Sequence, residues 1–316
     1  MVCKRNNKCK TVLKVIISSF LVFLLIINVN WQEVWRYIAS ANVYLIGVYL
    51  VFYFFGLLIS ARKWQVLARF KKFVNPYFFY FKSYLLGTFI NNFLPSFVGG
   101  DTYRVYSLGK PVNRVAQSST TIVVDRISGL VGIMILSIVF AFMNRSVLSS
   151  HNIIIWMIIG LSEITVGFFV VIFFFHTKFA QFFVKLLPQF AQKYINQLLE
   201  FRKSEIALKT LGYSFLFAFV GVAIANYSLF KALGICLSPQ DYISVIFLSS
   251  MIASVPISVG NIGVKEWAYV FLFGIFGVSG SGAVTVVILS RVLQMLVSLI
   301  AVPFYLQNKK NLYSKS

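Results

Sequence analysis

The sequence predicts an all-α polytopic membrane protein, and three observations lead there. Hydrophobic residues make up 59% of the chain and charged residues only 12%, with a mean hydropathy of +0.83; ordinary soluble domains are about 45–50% apolar and about 25% charged. The apolar residues gather into runs close to the ~20 residues with which a helix crosses a ~30 Å hydrocarbon core. The 29 Lys+Arg, against 8 Asp+Glu, cluster between those runs, as expected where basic loops stay on the cytoplasmic side. The net charge of +21 is read in that way and not as a nucleic-acid signal, because no Lys/Arg stripe is interleaved with aromatics and no zinc-finger spacing occurs.

At the N-terminus Lys4, Arg5, Lys8, Lys10 and Lys14 precede an apolar run, and Asn28-Val29-Asn30-Trp31 follows without a small-x-small cleavage pattern. This predicts an uncleaved first span over 12–29. Further spans are predicted at 43–61, 120–143, 153–175, 211–233 and 283–305. Arg62, Lys63, Arg69, Lys71 and Lys72 mark an inner loop after the second span, and Lys309, Lys310 and Lys315 an inner tail. Over 179–203, Gln181, Lys185, Gln189, Gln192 and Asn196 recur at helical spacing opposite Phe182, Phe183, Leu186, Phe190 and Tyr194, which predicts a helix lying at the membrane surface. Ser279-Gly280-Ser281-Gly282 reads as a flexible joint, and Trp31, Trp35, Trp64, Trp156 and Trp267 as an interfacial belt.

Two apolar segments are interrupted. Residues 77–94 run into Pro95-Ser96-Phe97-Val98-Gly99-Gly100-Asp101, and residues 243–255 into Pro256-Ile257-Ser258-Val259-Gly260-Asn261-Ile262-Gly263. A full crossing by the first would put the basic stretch 178–209 outside. Two re-entrant helical hairpins of opposite orientation, about 77–110 and 243–277, keep every basic loop inside. The prediction is therefore one membrane domain over 1–316, with about six full transmembrane helices plus these hairpins and both termini cytoplasmic. Each break is followed by a short helix and then a span with an embedded arginine, Arg126 or Arg291. This pattern, with opposite orientations, reads as an inverted repeat, whose interrupted segments mark a midplane site.

Charges inside spans are costly, at least about 2.5–3.5 kcal/mol near the bilayer centre. Asp101 and Arg104 follow the first break one helical turn apart; Asp125, Arg126, Glu163 and Arg291 lie within predicted spans; Lys265 and Glu266 follow the second break. Asn92, Pro95, Gly99, Gly100, Pro256, Gly260 and Gly263 complete the candidate substrate-binding set. The glycines permit close backbone approach, helix N-termini favour anions, and Arg104, Arg126, Lys265 and Arg291 suit phosphate. Mutual pairing of the charges for helix packing is the competing reading, and Asp101 also fits an N-cap. Cys3, Cys9 and Cys236 are too scattered for a disulfide framework or metal site. No metal cluster, nucleotide loop or catalytic triad can be assembled, so neither cofactor nor catalytic residue is expected.

The set Asn92-Phe93-Leu94-Pro95, Gly99-Gly100-Asp101, Arg104, Asp125-Arg126, Gly129-Leu130, then Pro256, Gly260, Gly263 and Glu266 resembles the lysylphosphatidylglycerol synthase transmembrane region, the flippase-like (UPF0104) family of integral membrane proteins. The likeness spans nearly the whole chain, and departs at Asn261, where that family often has a second glycine. It implies a lipid-translocating module in a bacterial inner membrane, acting on an anionic phospholipid or carrier-linked glycolipid. The aminoacyl-transfer domain of the two-part synthases is not expected in a chain ending at Ser316, so lysyl transfer is not carried over. The alternatives are a non-catalytic subunit recruiting an envelope-lipid synthesis enzyme, or an intramembrane glycolipid transferase with Asp101 or Glu266 as base.

Overall fold

The computed structural model describes residues 16–93, 99–143, 188–202, 204–254 and 258–304. Pro95, Glu163 and Pro256, the predicted span 153–175 and the first part of the surface helix lie outside them. Among the described residues every regular element is helical.

The chain begins with α1 (Ile16–Asn28), which bends by 81° into α2 (Trp31–Ala39). The bend arises because Asn30 starts a new helix, its side chain accepting from the Gln32 and Glu33 amides. Asn42 caps the next helix likewise, and α3 runs Val43–Phe70. That is nine residues beyond the predicted end at 61: Trp64, Leu67 and Ala68 continue the apolar stripe at i, i+3 and i+4, so Arg62, Lys63 and Arg69 belong to the helix and not to a loop. Trp64 is fully buried, inside the bundle and not in the expected belt; Trp35 is exposed.

A hairpin follows, α4 (Tyr77–Phe93) and α5 (Gly99–Gly109). Its arms are antiparallel: Gly100 lies against Gly87 and Asn91, and Leu108 shares a cluster with Tyr80 and Trp64. Small residues permit the contact, since a Cβ on Gly100 would sit 2.0 Å from the Gly87 carbonyl oxygen. The hairpin enters and leaves at one end of the bundle, where the Arg114 guanidinium donates to the Lys71 carbonyl at 2.7 Å. Then α6 (Val115–Met143) runs the length of the bundle.

The second half has the same order. The amphipathic α7 (Gln189–Leu199) docks at the end of the bundle where the first hairpin enters; there Tyr194 meets Ser119 at 3.1 Å and Lys71 pairs with Glu200 at 2.5 Å. α8 (Ser204–Phe217) and α9 (Ala225–Ala232) join through a π-helical turn, Ala218–Ile224, into a 28-residue span that matches the 28 residues of α3. α10 (Pro239–Ser254) and α11 (Val264–Gly274) form an antiparallel hairpin, with Tyr242 stacked on Phe273 and Asn261 bonded to the Ala253 carbonyl. α12 (Gly280–Ser298) continues through a 3-10 turn to Phe304. Its start is fixed, not a flexible joint: Ser279 accepts from the Gly282 amide as N-cap.

Four of these helices are long and apolar enough to cross a membrane, and a fifth if the bent α1–α2 pair is one span. The two halves meet where α3 and the α8–α9 span cross. Gly56 touches Gly221 near the middle of each, Lys63 reaches Ser214, and the Asn42 amide donates to the Ala232 carbonyl. Those pairings make the two spans antiparallel, so the halves are inverted with respect to one another.

Candidate functional site

Each half places one carboxylate in the first turn after its break and one arginine deep in the following span. Asp101 is the third residue of α5 and Glu266 the third of α11; Arg126 is the twelfth of α6 and Arg291 the twelfth of α12. Both pairs are closed, and in both the partners lie 25 residues apart. The Arg126 guanidinium grips Asp101 with two bonds of 2.9 Å, and the Arg291 Nε meets Glu266 at 2.9 Å.

In the first half the pair belongs to a larger cluster. Asp101 also accepts from Arg104 at 2.6 Å, Arg104 from its other side reaches Asp125 at 3.1 Å, and Asp125 pairs with Lys63 at 3.0 Å. Lys63, Arg104 and Asp125 are buried. The Arg104 guanidinium lies 4.4 Å from the Tyr84 ring and 5.2 Å from the Trp64 ring, so aromatic faces take the place of water around it. Arg126 is half-exposed and lines a cleft of about 470 Å³ between α5 and α6. Asp101 serves these arginines; the α5 N-terminus is met by Asn91, whose side chain accepts the Gly100 amide at 2.8 Å.

In the second half the break is made by left-handed residues, with φ of 62° at Gly260, 52° at Asn261 and 88° at Gly263. Asparagine tolerates this region better than most side chains, so the turn forms although the second position is not glycine. Glu266 reaches back to the Gly263 amide at 2.7 Å and so caps its own helix. The remaining Arg291 donors bind the Gly260 and Asn261 carbonyls at 3.0 and 2.8 Å. Lys265 bonds Ser290, the counterpart of Asp125, at 3.2 Å. Nine residues separate the α10 and α11 helices against five between α4 and α5; the second break is the longer.

A seam of neutral groups joins the halves. Asn92, at the tip of the first hairpin, donates to the Gln294 carbonyl at 3.4 Å; the Gln294 amide donates to the Tyr49 hydroxyl at 3.0 Å; and that hydroxyl donates to the Ser290 carbonyl at 3.3 Å. Of the expected site residues, the fold thus brings Gly100, Asp101, Arg104, Asp125 and Arg126 to one centre and Gly260, Gly263, Lys265, Glu266 and Arg291 to another. Gly99 opens α5 beside the first, and Asn92 lies on the seam between them. Lys63, Asn91, Tyr49, Ser290 and Gln294 were not foreseen. For Lys63 the signal was there, in the apolar stripe running past it.

An inverted pair of helical halves, each with a broken hairpin tied by an ion pair to the span-length helix that follows it, defines a multi-pass membrane protein with polar clusters inside its helical bundle. The family model described as lysylphosphatidylglycerol synthase TM region matches residues 11–301, and the chain belongs to that family. No curated protein and no solved structure matches it.

Proposed function

We propose that the protein carries the head group of an anionic membrane lipid across the bilayer between its two hairpins, while the acyl chains stay in surrounding lipid. One observation carries this reading: two inverted halves each hold a carboxylate–arginine pair beside a helix break, and a polar seam runs from one break to the other. Broken helices at membrane depth are tolerated only in protein or against a wet cavity, and in inverted-repeat transporters such breaks bind the cargo. The substrate class is an anionic phospholipid or a carrier-linked glycolipid.

In the bilayer, α1, α3, α6, the α8–α9 span and α12 are crossings; the further span expected at 153–175 lies outside the described residues. The hairpins are re-entrant from opposite faces. The end bearing Lys71, Lys110 and Arg114 faces the cytoplasm of an inner membrane, as the positive-inside rule favours, which puts both chain termini there. The lipid gradient, or a proton carried on Asp101 or Glu266, drives movement.

The test uses proteoliposomes containing a head-group-labelled anionic lipid and a membrane-impermeant quencher. Asp101→Asn with Glu266→Gln removes both charges and keeps one acceptor oxygen at each site, the second oxygen being replaced by an amide donor. Transport should fall about tenfold or more while the protein elutes as a folded species; an unchanged rate in the double variant would remove the proposed path. Inactive wild-type protein would instead favour a subunit that recruits a lipid-modifying enzyme.

A further inference from the structure

The halves share their ion pairs but differ in what surrounds them. From that difference we propose that lipid binds only in the first half: the phosphate of an anionic lipid takes Arg126 from Asp101 in the α5–α6 cleft, and the Arg291 centre is a fixed clamp. This deepens the head-group reading above and rests on it.

The arginines differ in what they hold. Among the described residues Arg126 is hydrogen-bonded to Asp101 alone; its side chain is 53% exposed and lines the cleft. Arg291 is 28% exposed, with Nε on Glu266 and both terminal nitrogens on carbonyls of the break. Moving Arg291 to a ligand would take its donors from the half-buried Gly260 and Asn261 carbonyls, and unmade backbone bonds shielded from water are costly. There is also little room beside it. α1 packs on that break, with Leu21 so close that a Cβ on Gly263 would lie 2.5 Å away, and Ser18 accepts from the Val259 amide.

Release of Arg126, by contrast, costs the cluster less: Asp101 Oδ2 gives up its Arg126 bond, but that carboxylate is partly exposed and keeps a cation on its other oxygen. Asp101 keeps Arg104 at 2.6 Å, and Arg104 keeps Asp125 and the Tyr84 ring. A phosphate offers the guanidinium the same two-oxygen geometry that a carboxylate does. Among the described residues the cluster has three cations, Lys63, Arg104 and Arg126, against the carboxylates of Asp101 and Asp125, and a phosphodiester supplies the single negative charge that balances it. The rest of the cleft decides for lipid over free phosphate: Val105, Ile122, Val123, Ile127 and Leu130 line it, a strip that a hydrocarbon chain covers and an inorganic anion leaves bare.

The experiment is native mass spectrometry of the full-length protein in neutral detergent doped with equal phosphatidylglycerol and phosphatidylcholine. Arg126→Gln removes the guanidinium, and Val123→Trp fills the aliphatic strip without touching a charge. Each should cut bound phosphatidylglycerol about tenfold and leave phosphatidylcholine unchanged. Because Arg291→Gln strands two carbonyls, Arg291→Lys, which keeps a cation beside Glu266, is run with it. The folded Arg291 variant should bind phosphatidylglycerol within about twofold of wild type. Retention in Arg126→Gln and Val123→Trp, or loss in Arg291→Lys alone, overturns the assignment; displacement of lipid by equimolar glycerol phosphate overturns the choice of lipid. Binding at Arg126 without transport would sink the transport reading and leave this site standing, whereas transport that survives Arg126→Gln would do the reverse.

Discussion

Asp125 is the residue on which the first centre depends. It sits between Lys63 and Arg104 at 3.0 and 3.1 Å, with every partner side chain no more than 7% exposed. Removing one partner of such a buried group costs about 3–5 kcal/mol, because the charge left behind has neither water nor a counter-ion. Asp125→Asn should therefore lower the thermal midpoint in detergent strongly. Adding Lys63→Met removes the stranded cation, and the double variant should melt above the single one, a coupling that a thermal-shift cycle reads directly. Glu205→Gln gives the scale at the other extreme: its pair with Lys209 is 3.5 Å long and exposed, worth about 0–1 kcal/mol, and should be thermally silent. The same energetics explain what could be read beforehand. Asp101, Arg104, Asp125, Arg126, Glu266 and Arg291 stand out because a charge inside an apolar run needs a reason. Lys63 did not, because a lysine just past an apolar run looks like a loop; only the continuation of the stripe through Trp64 and Leu67 places it inside.

At the scale of elements, the two span-length helices that join the halves meet backbone to backbone. A Cβ on Gly56 would lie 2.8 Å from the Gly221 Cα, a crossing that needs small residues, as association of helices in membranes generally does. Gly56→Leu should push α3 from the α8–α9 span and cost about 1–3 kcal/mol by overpacking. Gly47→Ala, with nothing within 4 Å of the added Cβ, is the control and should leave the melt in place. The partner span carries a π-helical turn at this crossing, Ala218–Ile224, and α3 has none, so the halves are not identical even at the contact they share. Apolar length fixed where the long helices are, but not all of their ends: the start of α3 at Val43 was legible, whereas the joint expected at 279–282 is the N-cap and first turn of α12. The two breaks were legible because a proline followed by clustered glycines disfavours an unbroken helix; their unequal lengths were not, since nothing in composition says how far left-handed residues such as Asn261 and Gly263 extend the turn.

For the molecule as a whole, the inversion is the organising fact, and part of it could have been counted in the sequence. The short Pro-Ser-Val-Gly likeness of the two breaks is weak, but Asp101 to Arg126 and Glu266 to Arg291 are both separations of 25 residues. What no count gives is that each such pair is closed, or that Asn92, Gln294 and Tyr49 bridge them, because those contacts join residues some two hundred positions apart. The inversion also makes a prediction about the membrane. Hairpin α4–α5 begins and ends beside Lys71, and hairpin α10–α11 begins and ends at the opposite end, next to the exposed Cys236. With Cys3 and Cys9 replaced by serine, a membrane-impermeant maleimide should label Cys236 on intact cells. In the same background with Cys236→Ser, a cysteine introduced as Lys110→Cys should react only after the membrane is opened. Labelling of Lys110→Cys from outside would mean that one arm of the first hairpin crosses the bilayer, and the two halves would then not face opposite sides as mirror images in function. Labelling on the expected sides would place each break at the end of a pathway entered from its own face, which is the arrangement that a head group passing from one to the other requires.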